Sequence, residues 1–259
     1  MGREFETVSE QEVAPTPEQI WAAIATGPGI NSWFMGRTDV LAGAGGVIRT
    51  AFGAYAPEST VTGWEPNQRL AHRTETAQDG RFVAYEFLLE GREQGSTVVR
   101  MVASGFLPGD DWADEYEAMT RGLRLFFRTL VEYVTHFAGR AAIPVTAFGP
   151  PVENWDAVWP MLGQALGLDR AAVSGDQVRV PVPDHGLVDG VVYFVNPDTV
   201  GIRTDDALYR FMRGFRGPLV AAHHVFRRHR SDARRAGLAD LADGGRVMSH
   251  SRLAERKIP

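Results

Sequence analysis

Residues 110–137 read DDWADEYEAMTRGLRLFFRTLVEYVTHF. At 100° per residue Trp112, Tyr116, Met119, Leu123, Phe126, Phe127, Leu130, Val134 and Phe137 fall within one arc, with Glu117, Arg121, Arg124 and Arg128 opposite. That pattern predicts one long amphipathic helix. Acids at 110, 111, 114 and 115 suit its positive start, and Glu117 with Arg121 makes a favourable i,i+4 pair. Such a helix is about 40 Å long, and burying its stripe is worth on the order of 12–25 kcal/mol before entropy is subtracted. Only a broad apolar sheet face absorbs that much surface. A coiled coil fits less well, because the stripe is wider than an a/d seam.

Upstream, EFETVSEQEVAP alternates as a strand, and TPEQIWAAIAT starts a helix with Thr16 as N-cap and Pro17 in the first helical position. GPG at 27–29 is expected to end that helix, and INSWF to form a short helical turn bringing Trp33 and Phe34 together. Short antiparallel strands are predicted near 38–41, 46–55, 59–65, 69–75, 81–90 and 96–106, separated by AGAGG, EPNQ, AQDG and GREQGS. In FVAYEFLLE, Val83, Tyr85, Phe87 and Leu89 share one face, and Ala84, Glu86, Leu88 and Glu90 the other, so one face is buried and one largely wet.

Composition narrows the function classes. Zero cysteine excludes disulfides, thiolate chemistry and cysteine-ligated zinc. The net charge of −5 is uneven: residues 1–140 hold 19 acids and 12 bases, 141–226 hold 9 and 6, and 227–259 hold 4 and 9. An acidic body argues against a nucleic-acid groove, which needs a basic stripe to neutralise phosphates. No apolar run reaches the roughly eighteen residues of a membrane span, and MGREFETVSE has neither a basic start nor an apolar run for secretion, so a cytoplasmic protein is expected. Arginine supplies 26 of the 27 Lys and Arg residues, which looks like a high-GC bacterial coding bias.

The order strand, helix, short helix, antiparallel strands and long closing helix is similar to the helix-grip fold of the START-like (SRPBCC) superfamily. It most resembles the bacterial branch related to the activator of heat-shock-protein-90 ATPase. The residues carrying the likeness are VAPTPEQIWAAI with Trp33 and Phe34, VTGWEPNQRLAHR at 61–73, GSTVVRMVASGF at 95–106 and GLRLFF on the final helix. It covers about residues 5–140. The fold class it implies is α+β, a curved antiparallel sheet wrapped around the long helix, with a second, smaller α+β domain downstream. The resemblance further implies a cavity between helix and sheet for a small hydrophobic molecule. Tyr116, Met119, Thr120, Leu123 and Phe127 would face it from the helix, Val83, Tyr85, Phe87, Val99 and Met101 from the sheet, with the entrance near Trp33, Phe34 and Trp64. Members of the branch often carry His at the position of Ala103, and its replacement here lowers the expectation of catalysis.

The domains are read as 1–140, 141–226 and a basic tail, 227–259, partly helical or disordered. GPPVENWDAVWPMLGQALGL echoes the opening of the first unit, which suggests a truncated helix-grip repeat without a closing helix; an unrelated cap is the alternative. The tail is read as a solvated end, with contact to an acidic protein partner as the alternative reading.

Individual residues carry weaker signals. The Thr120 hydroxyl is expected to bond the carbonyl four residues back, with donation to a ligand as the alternative. Gly122, costly in mid-helix, is expected to permit close packing. Arg100, alternating with Val99 and Met101, should face solvent. His72 and Arg73 face opposite sides of a strand, as do His223 and His224, so no two histidines share a metal-ligand spacing and neither metal nor cofactor is expected. No dinucleotide fingerprint, phosphate loop, nucleophile elbow or zincin motif occurs. The leading reading is binding of a small hydrophobic or aromatic molecule, with the downstream unit covering or modulating access. A cyclase- or hydrolase-like enzyme using Tyr85, Tyr116 or His72 for proton transfer is the second, and a chaperone-associated interaction module the third.

Overall fold

Thr16 and Pro17 begin the first helix as the sequence predicts, and the Gln19 side chain accepts a hydrogen bond from the Thr16 N–H at 3.0 Å. The computed structural model describes residues 2–226 apart from 52–55, 94, 111, 183–184 and 215–216; the basic tail lies outside the described residues. β1 (Arg3–Val13) leads into α1 (Pro17–Ile24) and α2 (Gly27–Ile30). The glycines expected only to stop α1 build α2 instead, because the Thr26 hydroxyl caps the Gly29 N–H at 3.1 Å. Gly29 also lets the two helices touch: a Cβ there would stand 2.0 Å from the Ala22 carbonyl oxygen.

β2 (Arg37–Leu41), β3 (Val47–Ala51), β4 (Glu58–Glu65), β5 (Arg69–Thr74), β6 (Phe82–Gly91) and β7 (Thr97–Leu107) follow as an antiparallel meander. They form a seven-stranded sheet in the order β1-β7-β6-β5-β4-β3-β2. α3 (Trp112–His136) then lies along it, with Leu123, Phe127, Leu130 and Val134 in one core with Ile20, Ile24, Phe87, Val99 and Met101. The fold is the α+β helix-grip arrangement.

A second sheet comes from β8 (Ala142–Pro151), α4 (Trp155–Ala165), β9 (Gln177–Val182), β10 (Gly186–Asn196), β11 (Thr199–Arg203), β12 (Ala207–Arg213) and β13 (Pro218–Phe226). Its order, β8-β13-β12-β11-β10-β9, repeats the wiring of the first sheet with one strand fewer. Side chains alternate between its faces. One face packs with α4 around Val178, Val180, Val192, Val200 and Ile202. The other presents Tyr193, Leu208 and Phe226 to α3, which stacks Tyr133 and Phe137 on Phe226 with ring centres 5.8 and 4.1 Å away. α3 therefore lies between both sheets, and the described residues fall within one compact unit.

The second sheet also buries positions of α3 outside the predicted apolar arc. Leu125, Thr129, Val131, Glu132 and Tyr133 are buried along with the predicted stripe. Glu117 and Arg124 stay exposed, whereas Arg121 bonds Asp198 at 2.7 Å. Tyr193 reaches α3 through a β-bulge: the register skips from Val192 to Phe194, and its hydroxyl meets that of Thr129 at 3.0 Å.

Candidate functional site

Between α3 and the concave face of the first sheet lies a cavity of about 40 Å³. Ile24, Ile30, Trp33 and Phe34 line it from α1, α2 and the following turn, Ile48 and Thr50 from β3, His72 from β5, Tyr85 and Phe87 from β6, Met101 from β7, and Leu123 and Phe126 from α3. One water occupies about 30 Å³ of the liquid, and small-molecule sites commonly run to about 300–1,000 Å³. The hollow expected from the sequence is present but nearly closed. Aromatic rings fill it: Phe34 packs on Phe126 with ring centres 4.6 Å apart, and Trp33 meets Phe34 at 5.4 Å and Phe87 at 6.2 Å.

Polar groups on this wall are few. Register aligns His72 with Tyr85 and Tyr85 with Ala103 across neighbouring strands. The His72 ring stacks on Tyr85 at 5.2 Å, and its Nδ1 is fully enclosed without a hydrogen-bond partner among the described residues. Burial pushes its pKa down to about 4, so the imidazole is neutral at physiological pH. A histidine therefore stands in the same row as Ala103, two strands over. The Thr50 hydroxyl is paired with that of Thr38 at 2.9 Å, and the Trp33 indole N–H donates to the Ala23 carbonyl at 3.0 Å.

Of the residues predicted to form the site, Trp33, Phe34, Tyr85, Phe87, Met101 and Leu123 meet around this cavity. The others lie elsewhere. Trp64 packs edge-on against Trp21 at 5.1 Å, Val83 lines an outer groove, and Tyr116 sits against Phe5 at 6.1 Å. Val99 and Phe127 are core side chains, and Met119 packs against that core. Thr120 lies off the cavity wall, and its buried hydroxyl has no partner among the described residues, so the expected bond to the carbonyl four residues back is not made. Sequence reasoning missed Ile24, Ile30, Ile48, Thr50 and Phe126 as wall residues. The i,i+2 spacing of Ile48 and Thr50 was an available signal for two of them.

Arg73 turns outward, its guanidinium 3.9 Å from the Phe82 ring centre, and Arg100 is exposed beside Glu10 at 3.9 Å. A larger groove of about 740 Å³ runs past Gly122, Trp155 and Arg213, but Arg121 and Arg213 there already face Asp198 at 2.7 and 3.9 Å. Among the described residues no cluster of His, Asp or Glu is arranged to hold a metal, and no helix is long and apolar enough to cross a membrane.

Residues 14–135 match the family described as Activator of Hsp90 ATPase homolog 1-like protein. No curated protein matches the chain. Among solved structures, a Mesorhizobium loti protein is 25% identical, with 49% of this chain and 95% of that one covered and a TM-score of 0.43. The di-domain ARO/CYC protein BexL is 13% identical, with 93% of this chain and 94% of that one covered and a TM-score of 0.47. A protein from the dynemicin biosynthetic locus is 16% identical, with 89% and 91% covered and a TM-score of 0.40.

Proposed function

Residues 14–135 form a START-like domain of the activator of Hsp90 ATPase homolog 1-like type, and from that premise we propose that the chain binds a small, mostly apolar aromatic molecule between α3 and the first sheet. One observation carries the reading. The enclosed wall is apolar apart from Thr50, His72 and Tyr85, and the His72 Nδ1 there has no partner among the described residues, although buried polar atoms normally find one. A ligand with one polar group would satisfy that nitrogen while its ring replaces the Phe34–Phe126 contact. Binding then requires the aromatic wall to part, because about 40 Å³ is far below the roughly 300 Å³ at which small-molecule sites begin.

The test uses 1-naphthol and naphthalene. Both are expected to raise the melting temperature. His72→Leu is expected to weaken 1-naphthol about tenfold while leaving naphthalene unchanged, the effect of losing one buried hydrogen bond. Absence of a shift with either compound, together with unchanged behaviour in a cavity-filling Leu123→Trp variant, overturns the reading.

Proton transfer by His72 beside Tyr85 is the second reading, favoured by their shared wall. Tyr116 does not join them, and an imidazole that protonates only near pH 4 is a weak base. Chemistry on a bound ligand, abolished by His72→Leu without loss of binding, would establish it.

A further inference from the structure

The cavity wall at Asn31–Phe34 is held from the second sheet. Arg210 on β12 is 1% exposed, and among the described residues it has no carboxylate partner. Its guanidinium donates to the carbonyls of Trp33 at 3.1 Å, Phe34 at 3.2 Å and Ala222 at 3.0 Å, and to His224 Nε2 at 2.7 Å. Since His224 Nε2 accepts from arginine, its Nδ1 carries the proton and donates to the Asn31 carbonyl at 3.0 Å. The Ser32 hydroxyl oxygen accepts from the Ala142 N–H at 2.9 Å. Every residue from Asn31 to Phe34 is thus bonded to β8, β12 or β13.

We infer that Arg210 and His224 form a latch that keeps the Asn31–Phe34 wall closed, so that the second sheet controls entry to the cavity of the first. The inference rests on the binding proposed above and concerns regulation of that same site. Trp33 and Phe34 are the rings that close the space, and Phe34 lies on Phe126, whose ring centre is 5.8 Å from the Arg210 guanidinium. In this arrangement the space between the rings is about 40 Å³, far below the volume of a ring-bearing ligand.

The latch has a built-in release. Its closed form needs a neutral His224, because protonation removes the acceptor and sets an imidazolium against a guanidinium. Burial and the charge of Arg210 hold the His224 pKa well below its ordinary value, so the closed state resists protonation and acid works against closure. The other groups facing the pair do not supply an anion. His223 accepts from the Arg210 backbone N–H through Nδ1 at 3.2 Å, and it too is held down to about 4 by burial and then by Arg210. Tyr193 on β10 is pushed up to about 12 by burial and stays neutral. Arg128 and Glu132 on α3 act on Tyr193 and not on Arg210 or His224, α3 itself offers Phe126, β8 has no charged residue, and the α2 turn presents carbonyls.

Two measurements separate the latch from the ligand. Hydrogen–deuterium exchange over residues 30–38 reads the wall without any probe. His224→Leu and Arg210→Lys are expected to accelerate exchange there about tenfold, with the far strands of the first sheet unchanged, while His224→Gln, which keeps both an acceptor and a donor, stays slow. Stopped-flow binding of N-phenyl-1-naphthylamine reads entry. The wild-type association rate is expected to rise about tenfold from about pH 7.5 to about pH 5.5, and the His224→Gln profile to be flat. Unchanged exchange in His224→Leu and Arg210→Lys, or the same pH profile in wild type and His224→Gln, overturns the latch. Absence of probe binding in every variant, with exchange accelerated as expected, overturns the ligand reading and leaves the latch supported.

Discussion

Gly122 occupies the middle of α3, where glycine costs about 1 kcal/mol relative to alanine. Close packing does not explain it: an added Cβ would meet only the Phe126 ring, at 3.9 Å, and the residue borders the open groove beside Trp155. The helix also runs on unbroken from Trp112 to His136. Gly122→Ala is therefore expected to stabilise the fold by about 0.5–1 kcal/mol, seen as a higher urea midpoint with an unchanged slope. His72 illustrates what single residues disclose in sequence. Strand alternation showed that His72 and Arg73 face opposite sides, but which of them faces inward depends on the pairing of His72 with Tyr85, and a one-residue slip would exchange them.

Among the elements, α3 contains both the most legible and the least legible part of the fold. Its apolar arc follows from spacing alone, and the strands of the first sheet lie within a few residues of their predicted ends because glycine, proline and asparagine mark the turns between them. Asn67, with φ +64°, holds one such turn. The second coat on the helix is not legible, since Thr129, Glu132 and Tyr133 look like outer positions until Tyr193, Arg203 and Phe226, far along the chain, supply their partners. Glu132, with a side chain 6% exposed, receives Arg128 at 2.6 Å, Arg203 at 3.0 Å and His136 at 3.5 Å. Glu132→Ala takes the carboxylate away from the Arg128 and Arg203 guanidiniums. Since Arg128 and Arg203 retain 37% and 25% side-chain exposure and rehydrate in part, the expected loss is about 2–3 kcal/mol, below the range for a fully buried pair, measured by chemical denaturation. Glu132→Gln should recover part of it. Arg210 was equally hidden: in ALYRFMR it alternates as any surface arginine would, and only the turn after α2 together with β13 gives it partners.

At the scale of the whole molecule, three histidines are held in neutral form, His224 buried and His72 and His223 half-buried. Burial is the leading cause in each: His72 and His223 are lowered to about 4, and His224 lies well below 6.5. The unfolded chain protonates these groups near 6.5, so it binds more protons than the folded chain below that pH. Their contribution is complete above about pH 6.5 and declines as pH falls towards 4, each histidine giving up to about 1.4 kcal/mol per pH unit. Urea midpoints are expected to drop steeply between about pH 6.5 and about pH 4.5, and His224→Gln to flatten the curve by one proton's share. A midpoint indifferent to pH over that interval would contradict this arrangement.

The placement of α3 between two sheets bears on protein engineering. The loop around Arg140 looks like a convenient place to cut, because the chain up to it contains every strand of the first sheet and the helix that covers it. Yet Tyr133 and Phe137, 4% and 2% exposed, stack on Phe226, and a cut there would strip that ring from them and Tyr193 from Thr129. A product trimmed there would display a greasy flank ready to find another copy of itself. Crystallisation and screening campaigns on this chain should keep the partner sheet attached.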